Sequence, residues 1–405
     1  MIEISGKKIL LIIGIIAIIV FALAIVWNDL NFSFFVNLLF VDAKEFAEEG
    51  SITADFMPIG YSSFLGSCMK IGGAGGIPAC QSLVYAGVLL MAFWFLRPRE
   101  GGFSILRALG IAAVALHPML ILNIWRVHDG NLTTLLLMGL LASGIAFIRF
   151  KSMRWIILLG VFSGLLFTVR PNTISLVVIT LLLLLAAKGA GTKIKRLGRI
   201  VIFAAIAVFL VMGVNTVVKQ APSFFARHGM YNLFAGTNEY AEQYLLSDYS
   251  GENSLEEALK ARGFIEETFE ERLAFPSETY RELALDYVRA HPFEYAKLTA
   301  IKFITILRPG YHVPDNFAWG SMDGVKRIVK IALALPILIW IFIVWKTRKS
   351  FFDEENIFIF LIVIFYLLPF LLANADPRMR FPLDILLVAD IFRRLAESRR
   401  AQART

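Results

Sequence analysis

Cysteine and histidine are scarce in this chain, with two cysteines, Cys68 and Cys80, and five histidines among 405 residues. Two cysteines cannot form a disulfide framework, which excludes the small disulfide-rich secreted proteins. The histidines are scattered, and no Cys/His spacing typical of a zinc module occurs in the sequence. The two cysteines flank the glycine-rich turn at residues 72–76. They can close a disulfide across this turn or remain two packed thiols, and we expect the thiols.

Acidic residues are also in short supply: 32 Asp and Glu stand against 40 Lys and Arg, which gives a net charge of +8. A basic balance of this kind can indicate a nucleic-acid partner. The basic residues, however, cluster in short segments between apolar runs, at residues 7–8, 97–107, 149–154, 188–199, 346–349 and 393–404. All these clusters fall on one side of a consistent topology, as the positive-inside rule requires. The charge therefore sets the orientation in a membrane, and no nucleic-acid partner is predicted.

Apolar residues are abundant, at 58% of the chain with a mean hydropathy of +0.68. Soluble domains average roughly 45–50% apolar residues, so the composition indicates a polytopic membrane protein. The first apolar run, residues 9–27, is long enough for a crossing helix, which needs about 20 residues. It is longer than the core of a signal peptide and ends in Val-Trp-Asn-Asp rather than in small residues. We expect it to be retained as a transmembrane helix.

The apolar runs and loop charges predict an all-α fold with about ten transmembrane helices and both termini in the cytosol. The predicted crossings are residues 9–27, 77–96, 104–122, 131–149, 155–169, 173–187, 200–217, 328–345, 356–373 and 380–394. The two arms of the hairpin at 155–187 are only about 22 Å long at 1.5 Å per residue. This is less than the roughly 30 Å hydrocarbon core, so we expect the apex, Arg170-Pro171-Asn172, to lie below the outer headgroups.

The chain is predicted to contain three segments. Residues 1–217 form a transmembrane catalytic module with a first outer loop at 28–76, and residues 218–310 form a helical extracytoplasmic segment. Residues 311–405 hold the last transmembrane helices and a basic cytoplasmic tail.

Several helices outside the bilayer core are predicted as well. Apolar stretches at 57–71 and 292–307 fit helices lying on the outer membrane surface. In the outer segment, Ser254 and Glu257 have the spacing of a capping box that opens a helix running to Leu273. Pro276-Ser277 is expected to begin a further helix, which ends at Ala290.

Asp42 and Glu45 lie just outside the first crossing, in a stretch that also carries Glu48 and Glu49. One interpretation is a solvated amphipathic helix, since apolar residues of the same stretch supply its other side. The other is a functional site, because residues three apart share a helix face and can point into one cleft. A carboxylate held there can take a proton from a hydroxyl nucleophile. In that case Asp42 is the expected base, and Glu48 and Glu49 face solvent.

Further charges fall on the same outer side. Arg126 and Asp129 occupy the short turn between the third and fourth crossings, and Arg170 lies at the hairpin apex. Arg378 and Arg380 are on the translocated face, against the positive-inside bias, which favours an anionic ligand. Each position also has a purely structural interpretation, as a helix start or an ordinary loop. Several arginines beside two carboxylates nevertheless suit a phosphate leaving group next to a base.

In order and topological side, these residues resemble the GT-C superfamily of membrane glycosyltransferases, which use a sugar carried on a polyprenyl phosphate. The closest match is the protein O-mannosyltransferase and aminoarabinose-transferase branch, over about residues 9 to 392. The segments that carry the resemblance are Asp42-Ala-Lys-Glu-Phe46, Pro58-Ile-Gly60-Tyr61, Asp129, Thr168-Val-Arg170-Pro171, His291-Pro-Phe-Glu-Tyr295 and Arg380-Phe381-Pro382. The departures are Phe46 and Phe381 where the family commonly has Tyr, Ser62 where it has Pro, and an aspartate as the second acid. The outer segment is also smaller than the soluble domain of some relatives.

The resemblance implies a hexosyl- or pentosyltransferase of the bacterial inner membrane, working at the extracytoplasmic side. It would move a monosaccharide from a polyprenyl-phosphate donor to a hydroxyl of a lipid-linked glycan, a lipid or a protein, with inversion. Asp42 would be the general base. Substrate binding would fall to Glu45, Asp129, Arg126 and Tyr61, and phosphate binding to Arg170, Arg378 and Arg380. The spacing requires no metal or other cofactor, although some relatives use a divalent cation.

Two other functions are compatible with charges at membrane level. A transporter or lipid flippase would explain them, but it would be expected to show inverted halves with matched broken helices, and the sequence shows none. A polysaccharide polymerase or ligase would use a diphosphate-linked glycan donor instead. Whether the donor is a monophosphate or a diphosphate therefore distinguishes the glycosyltransferase from the polymerase or ligase.

Overall fold

A computed structural model describes residues 3–26, 34–53, 57–98, 102–186, 192–220, 228–246, 251–263, 276–307, 323–347, 353–375 and 377–402. The fold is all-α apart from a two-stranded antiparallel pair, β1 (Glu3–Ile4) and β2 (Phe103–Ser104). The first half of the chain forms α1 Gly6–Val26, α2 Phe34–Glu49, α3 Ile59–Gly72, α4 Gly76–Leu96, α5 Ile105–Ala115, α6 Pro118–Leu122, α7 Gly130–Phe150, α8 Met153–Val169, α9 Ile174–Ala186 and α10 Lys193–Lys219. The second half forms α11 His228–Ala235, α12 Ala241–Leu246, α13 Gly251–Ala261, α14 Ser277–Ala290, α15 Pro292–Leu307, α16 Asp323–Lys346, α17 Glu354–Leu372 and α18 Phe381–Gln402.

Five of the described helices are long and apolar enough to cross a membrane: α1, α4, α7, α10 and α17. The prediction of an all-α integral membrane protein is confirmed at this level. The predicted number of about ten crossings stays a prediction, because α5, α8 and α9 are apolar but shorter than a full span.

The third predicted crossing, residues 104–122, is not one continuous helix. It breaks into α5 and α6 at His117, which has an extended backbone with φ −65° and ψ 119°. The cause is Pro118, which has no backbone N–H to donate and disfavours helical conformation in the residue before it. The short hairpin around Arg170 does form as predicted: α8 ends at Val169 and a 3-10 turn, Pro171–Thr173, leads into α9.

The chain folds into two compact units. The first contains residues 1–224, 339–363 and 382–405, and the second contains residues 225–338 and 364–381. The predicted boundary at 217/218 thus lies near the structural boundary at 224/225. The predicted C-terminal segment, 311–405, is divided between the two units.

Helix α7 forms the core of the first unit. Of an 18-residue apolar stretch in α7, 89% is buried, compared with 22% for the corresponding stretches of α1 and α10. Glycines allow large rings to lie directly on its backbone. A Cβ on Gly139 would lie 2.4 Å from the ring of Phe162, and one on Gly144 would lie 2.2 Å from the ring of Phe358. These two glycines therefore allow α7 to pack closely against Phe162 of α8 and Phe358 of α17.

The second unit is built around short helices. Tyr231 of α11 meets Tyr280 of α14 edge to face, with ring centroids 5.5 Å apart. Lys297 of α15 forms an ion pair with Glu242 of α12, with a nitrogen–oxygen distance of 2.7 Å. The predicted helices over 276–290 and 292–307 are confirmed as α14 and α15.

The predicted capping box at Ser254 is wrong. Helix α13 begins earlier, at Gly251, and the Ser254 hydroxyl donates to the backbone oxygen of Ala235 at 2.6 Å. Glu257 accepts from the Tyr244 hydroxyl instead of turning back to the helix start. The helix also ends well before Leu273, because Gly263 follows in a left-handed conformation at φ +82°.

Candidate active site

Asp42 lies where α2, α3 and the end of α10 meet. A Cβ on Gly66 of α3 would lie 2.6 Å from the backbone oxygen of Ala43, so only glycine allows α3 to approach α2 this closely. Two hydrogen bonds also fix the connection after α2. The backbone nitrogen of Thr53 donates to Glu45 Oε1 at 2.8 Å, and that of Ile52 donates to the backbone oxygen of Val218 at 2.8 Å. These contacts enclose the Asp42 side chain, which is 4% exposed.

Among the described residues, the Asp42 carboxyl group is buried and forms no ion pair. Its Oδ2 atom accepts no hydrogen bond within the part of the chain that the structure describes. Burial, together with the negative charge of Glu45, raises the pKa of Asp42 to about 7, against opposing contributions from Lys219 and the Ser62 hydroxyl. A carboxyl group with this pKa is divided between its acid and base forms at neutral pH. That is the protonation behaviour expected of a general base.

Asp129 has the opposite surroundings. It lies at the start of α7 and forms a bidentate ion pair with Arg170, from Asp129 Oδ2 to Arg170 Nε and from Oδ1 to Nη2 at 2.9 Å. The Thr133 hydroxyl donates to the same carboxylate at 3.2 Å. Burial alone would raise the pKa of Asp129, but the charge and hydrogen bonds of Arg170 outweigh it and lower the pKa to about 2. Asp129 is therefore a permanent anion that anchors the hairpin apex.

The first turn of α3 joins these two acids. A Cβ on Gly60 would lie 2.6 Å from the Thr168 hydroxyl and 2.7 Å from its backbone carbon, two residues before Arg170. Tyr61 and Ser62 follow directly: Ser62 lies beside Asp42, and the negative charge of Asp129 acts on Tyr61. The Pro-Ile-Gly-Tyr segment thus places α3 between the two carboxylates.

Tyr61 and Arg126, both predicted to bind substrate, are enclosed in this region. Tyr61 is 1% exposed and its hydroxyl lies 3.4 Å from Gln81 Oε1. Burial and the nearby charge of Asp129 raise the pKa of Tyr61 well above its usual value. Gln81 in turn donates to the backbone oxygen of Arg126 at 2.8 Å. These contacts join α3, α4 and the turn before α7, and direct substrate contacts by Tyr61 and Arg126 stay predictions.

Arg378 and Arg380, predicted to bind phosphate, belong to the 3-10 turn Pro377–Arg380 in the second unit. Arg380 is fully buried and donates to the backbone oxygen of Ile306, whereas the Arg378 side chain lies outside the described residues. Lys302 is fully buried in the same unit and donates to the backbone oxygen of Leu372 at 3.4 Å. Burial lowers the pKa of Lys302 to about 7. The role of both arginines in phosphate binding stays a prediction.

Three residues near the two acids were missed from the sequence: Ser62, Gln81 and Lys219. Lys219 could have been identified from the sequence, because it ends a helix predicted to run outward and so lies on the face where basic residues are disfavoured. Arg378 and Arg380 were predicted as site residues on the same ground. Ser62 and Gln81 could not have been identified, since a single serine or glutamine carries no periodic or charge pattern.

No group of three or more His, Cys, Asp or Glu side chains close enough to hold a metal ion occurs among the described residues. The residues that the structure gathers around Asp42 are one further acid, a hydroxyl and a lysine. This set can bind and deprotonate a hydroxyl group directly.

No protein-family model matches the chain, no curated protein is significantly similar to it, and no solved structure shares its fold at a significant level. The function is therefore argued from the site itself.

Proposed function

We propose that the protein is a glycosyltransferase of the bacterial inner membrane with its active site on the extracytoplasmic side. It would transfer a monosaccharide from a polyprenyl-phosphate donor to a hydroxyl group of a lipid-linked glycan, a lipid or a protein. The observation that carries the proposal is Asp42, a buried carboxyl group with a pKa of about 7 on α2, the helix that follows the first membrane-crossing helix in the chain. An acid that costs free energy to ionise in the folded protein, and has no structural ion pair to form, is typical of a catalytic base.

The reaction is a single displacement. Asp42 takes the proton of the acceptor hydroxyl as that oxygen forms a bond to the anomeric carbon. The bond between the anomeric carbon and the phosphate oxygen breaks, and the phosphate leaves with the electron pair. Because attack and departure occur on opposite faces, the anomeric configuration is inverted. The phosphate is already a good leaving group, so no protein acid is required.

Glu45 supports this role through its charge. Its Oε1 atom is held by the Thr53 backbone, and its negative charge helps to keep the pKa of Asp42 high. Lys219 acts in the opposite sense and limits the shift. The balance of these two charges leaves enough of the ionised form at neutral pH to accept a proton.

Arg170 is the arginine of this region best suited to the departing phosphate, since a guanidinium can bind two phosphate oxygens at once. Its bidentate contact with Asp129 means that phosphate must share or exchange that contact. The pair is therefore proposed to keep the arginine oriented until the donor binds. Phosphate binding by Arg378 and Arg380, which belong to the second unit, stays a prediction from the sequence.

The test compares Asp42→Asn with Glu49→Gln, which removes an exposed acid from the same helix. The full-length variants are reconstituted in lipid and given polyprenyl-phosphate mannose, glucose or aminoarabinose with a bacterial membrane lipid extract as acceptor. Free polyprenyl phosphate released is the readout. We expect Asp42→Asn to lower turnover by about 10²–10⁴-fold with donor binding retained, because a general base contributes that much. Glu49→Gln should match the wild type.

Turnover of Asp42→Asn near the wild-type value would exclude Asp42 as the base. A wild-type protein that releases no polyprenyl phosphate from any donor, but moves a labelled lipid across the vesicle bilayer, would indicate a flippase. Release of a polyprenyl diphosphate from a glycan-loaded donor would indicate the polymerase or ligase class.

A further inference from the structure

Far from the two acids, the first unit contains a second cluster of charged side chains. Arg107 begins α5, Arg149 lies in the last turn of α7, and Arg393, Arg394 and Arg400 come from α18. Asp129 and Arg149 stand at opposite ends of α7, which has 21 residues. At 1.5 Å per residue the two ends are about 30 Å apart. The cluster is therefore separate from the candidate active site.

The acids of this cluster do not balance its arginines. Glu355 binds Arg149 through two hydrogen bonds of 2.9 and 2.7 Å. Asp390 is shared by Arg393 and Arg394, each at 2.7 Å, and Glu397 is shared by Arg393 and Arg107. In these ion pairs four arginines (Arg107, Arg149, Arg393 and Arg394) share three carboxylates, which leaves an excess of one positive charge. Most of these side chains are buried, so the excess is not dispersed by solvent.

Arg107 shows the imbalance most clearly. Its side chain is 4% exposed and has one ion-pair contact, from Nη2 to Glu397 Oε1 at 3.4 Å. Its Nε and Nη1 atoms are buried and have no hydrogen-bond partner within the described ranges. The positive charges of Arg149, Arg393 and Arg400 are close enough to oppose its own. A buried guanidinium with two unused donors carries a free-energy penalty that a bound acceptor would remove.

The chemistry of that acceptor follows from the donors. The Nη2 atom of Arg107 forms a planar fork with Nε on one side and with Nη1 on the other, and such a fork matches two oxygens of a phosphate group, which would share Nη2 with Glu397. A water molecule could accept a hydrogen bond but would leave the excess charge in place, whereas a phosphate supplies both acceptors and negative charge. Glu397, with 44% of its side chain exposed, marks the edge at which a ligand can reach the cluster.

We propose that Arg107, with the arginines around it, binds a phosphate group at this end of the first unit. Basic clusters between membrane helices bind the headgroups of anionic lipids. The other source of the same chemistry is a free phosphate from solution. In either case the ligand joins the start of α5 to the ends of α7 and α18, and therefore stabilises the folded protein.

The experiment measures the midpoint of thermal unfolding of the delipidated full-length protein in detergent. Phosphatidylglycerol, phosphatidylcholine and inorganic phosphate are added separately, with chloride at matched ionic strength as the reference. We expect phosphatidylglycerol to raise the midpoint by several degrees and phosphatidylcholine to leave it unchanged, since only a ligand bound by the folded state shifts it. A rise with inorganic phosphate as large as with phosphatidylglycerol would assign the site to free phosphate.

Three variants locate the effect. Arg107→Gln should lose the rise in the unfolding midpoint, whereas Arg97→Gln, which removes an exposed charge from the same basic segment, should keep it. Arg107→Lys keeps the charge but not the fork, and should retain only part of the rise. The proposal fails if Arg107→Gln responds like the wild type, or if Arg97→Gln loses as much as Arg107→Gln. Should the Arg107 variants not fold, equal responses of the wild type to phosphatidylglycerol and phosphatidylcholine, with none to phosphate, would overturn it.

Discussion

The two aspartates of the candidate site, Asp42 and Asp129, differ in almost everything except their residue type. Asp129 is neutralised by Arg170 and has a pKa of about 2, while Asp42 has no such partner and a pKa of about 7. Burial disfavours the charged form of both. What separates them is one arginine placed by the hairpin apex. The acid with a matched cation stays ionised and supports the fold, whereas the acid without one has a raised pKa, which suits the proton transfer proposed for Asp42.

The comparison also explains why α3 begins with Pro-Ile-Gly-Tyr. Gly60 brings this helix against α8 beside Arg170, and Gly66 brings it against α2 beside Asp42. One short helix thus holds two acids of opposite character in fixed positions. Four substitutions are expected to alter one or both sides of this contrast, with effects that decrease in the order Asp129→Asn, Asp42→Asn, Gly60→Ala and Lys219→Gln.

Asp129→Asn should be the most damaging change to stability. It leaves the Arg170 side chain, 9% exposed, without its carboxylate partner. Losing one member of a buried ion pair costs about 3–5 kcal/mol, because the other charge stays buried. The midpoint of denaturant unfolding at pH 7 measures the loss. Adding Arg170→Gln should recover part of it, and a cost of Asp129→Asn below about 1 kcal/mol would contradict the role given to the pair.

Asp42→Asn should do the reverse and stabilise the protein in a pH-dependent manner. The folded-state pKa of about 7 lies above the ordinary value of 3.8, so the folded protein binds more protons than the unfolded chain between these values. Stability of the wild type therefore falls as pH rises from about 4 to 7, by at most about 4 kcal/mol at 1.36 kcal/mol per pKa unit.

Unfolding curves of wild type and Asp42→Asn, recorded from pH 4 to pH 8, test this expectation. The two should coincide near pH 4 and separate up to about pH 7, with the variant more stable. Parallel curves over the whole range would show that the pKa of Asp42 is not raised.

Gly60→Ala should destabilise the packing of α3, the helix that lies between Asp42 and Asp129. The added Cβ would meet the Thr168 hydroxyl and backbone at 2.6–2.8 Å, which forces α3 away from α8. Overpacking of this kind costs about 1–3 kcal/mol. The matched control is Gly72→Ala, since a Cβ on Gly72 of the same helix would have no heavy atom within 4 Å. Equal unfolding midpoints for the two variants would show that the contact between α3 and α8 does not contribute to the stability of the fold.

Lys219→Gln should have the smallest effect and should act on the pH profile alone. Removing its positive charge takes away a contribution that lowers the pKa of Asp42. The acid limb of the transfer rate against pH is expected to move to higher pH by a fraction of a unit. Lys44→Gln serves as the control, because Lys44 is exposed and pairs with Glu48. A shift as large in the control would assign the effect to general surface charge.

Much of the helical framework could be predicted from the sequence. The long apolar runs predicted α1, α4, α7, α10 and α17, because the hydrocarbon core sets a minimum length that composition reveals directly. Pro118 shows where that reasoning failed: the apolar run continues through it, but the helix does not. The capping pattern at Ser254 failed because a tertiary hydrogen bond to Ala235 took the serine hydroxyl.

The candidate site could be predicted in part. Charge on the outer side selected Asp42, Asp129 and Arg170, since an ionisable residue at membrane level is rare enough to stand out. The same pattern could not say that the last two bind each other, or that Glu45 is held by a backbone nitrogen. Pairing depends on distances between helices that are far apart in the chain.

That the chain is a helical membrane protein follows from its residues, because hydrophobicity, run length and loop charge are properties of the sequence. Which of Asp42 and Asp129 is paired, and which has a raised pKa, follows from the packing of the helices. A pKa depends on burial and on the charges within a few ångströms, and these come from Gly60, Gly66 and Arg170 through the packing of α3, α2 and α8. The same holds for Arg107, whose unused donors appear only when α5, α7 and α18 are brought together.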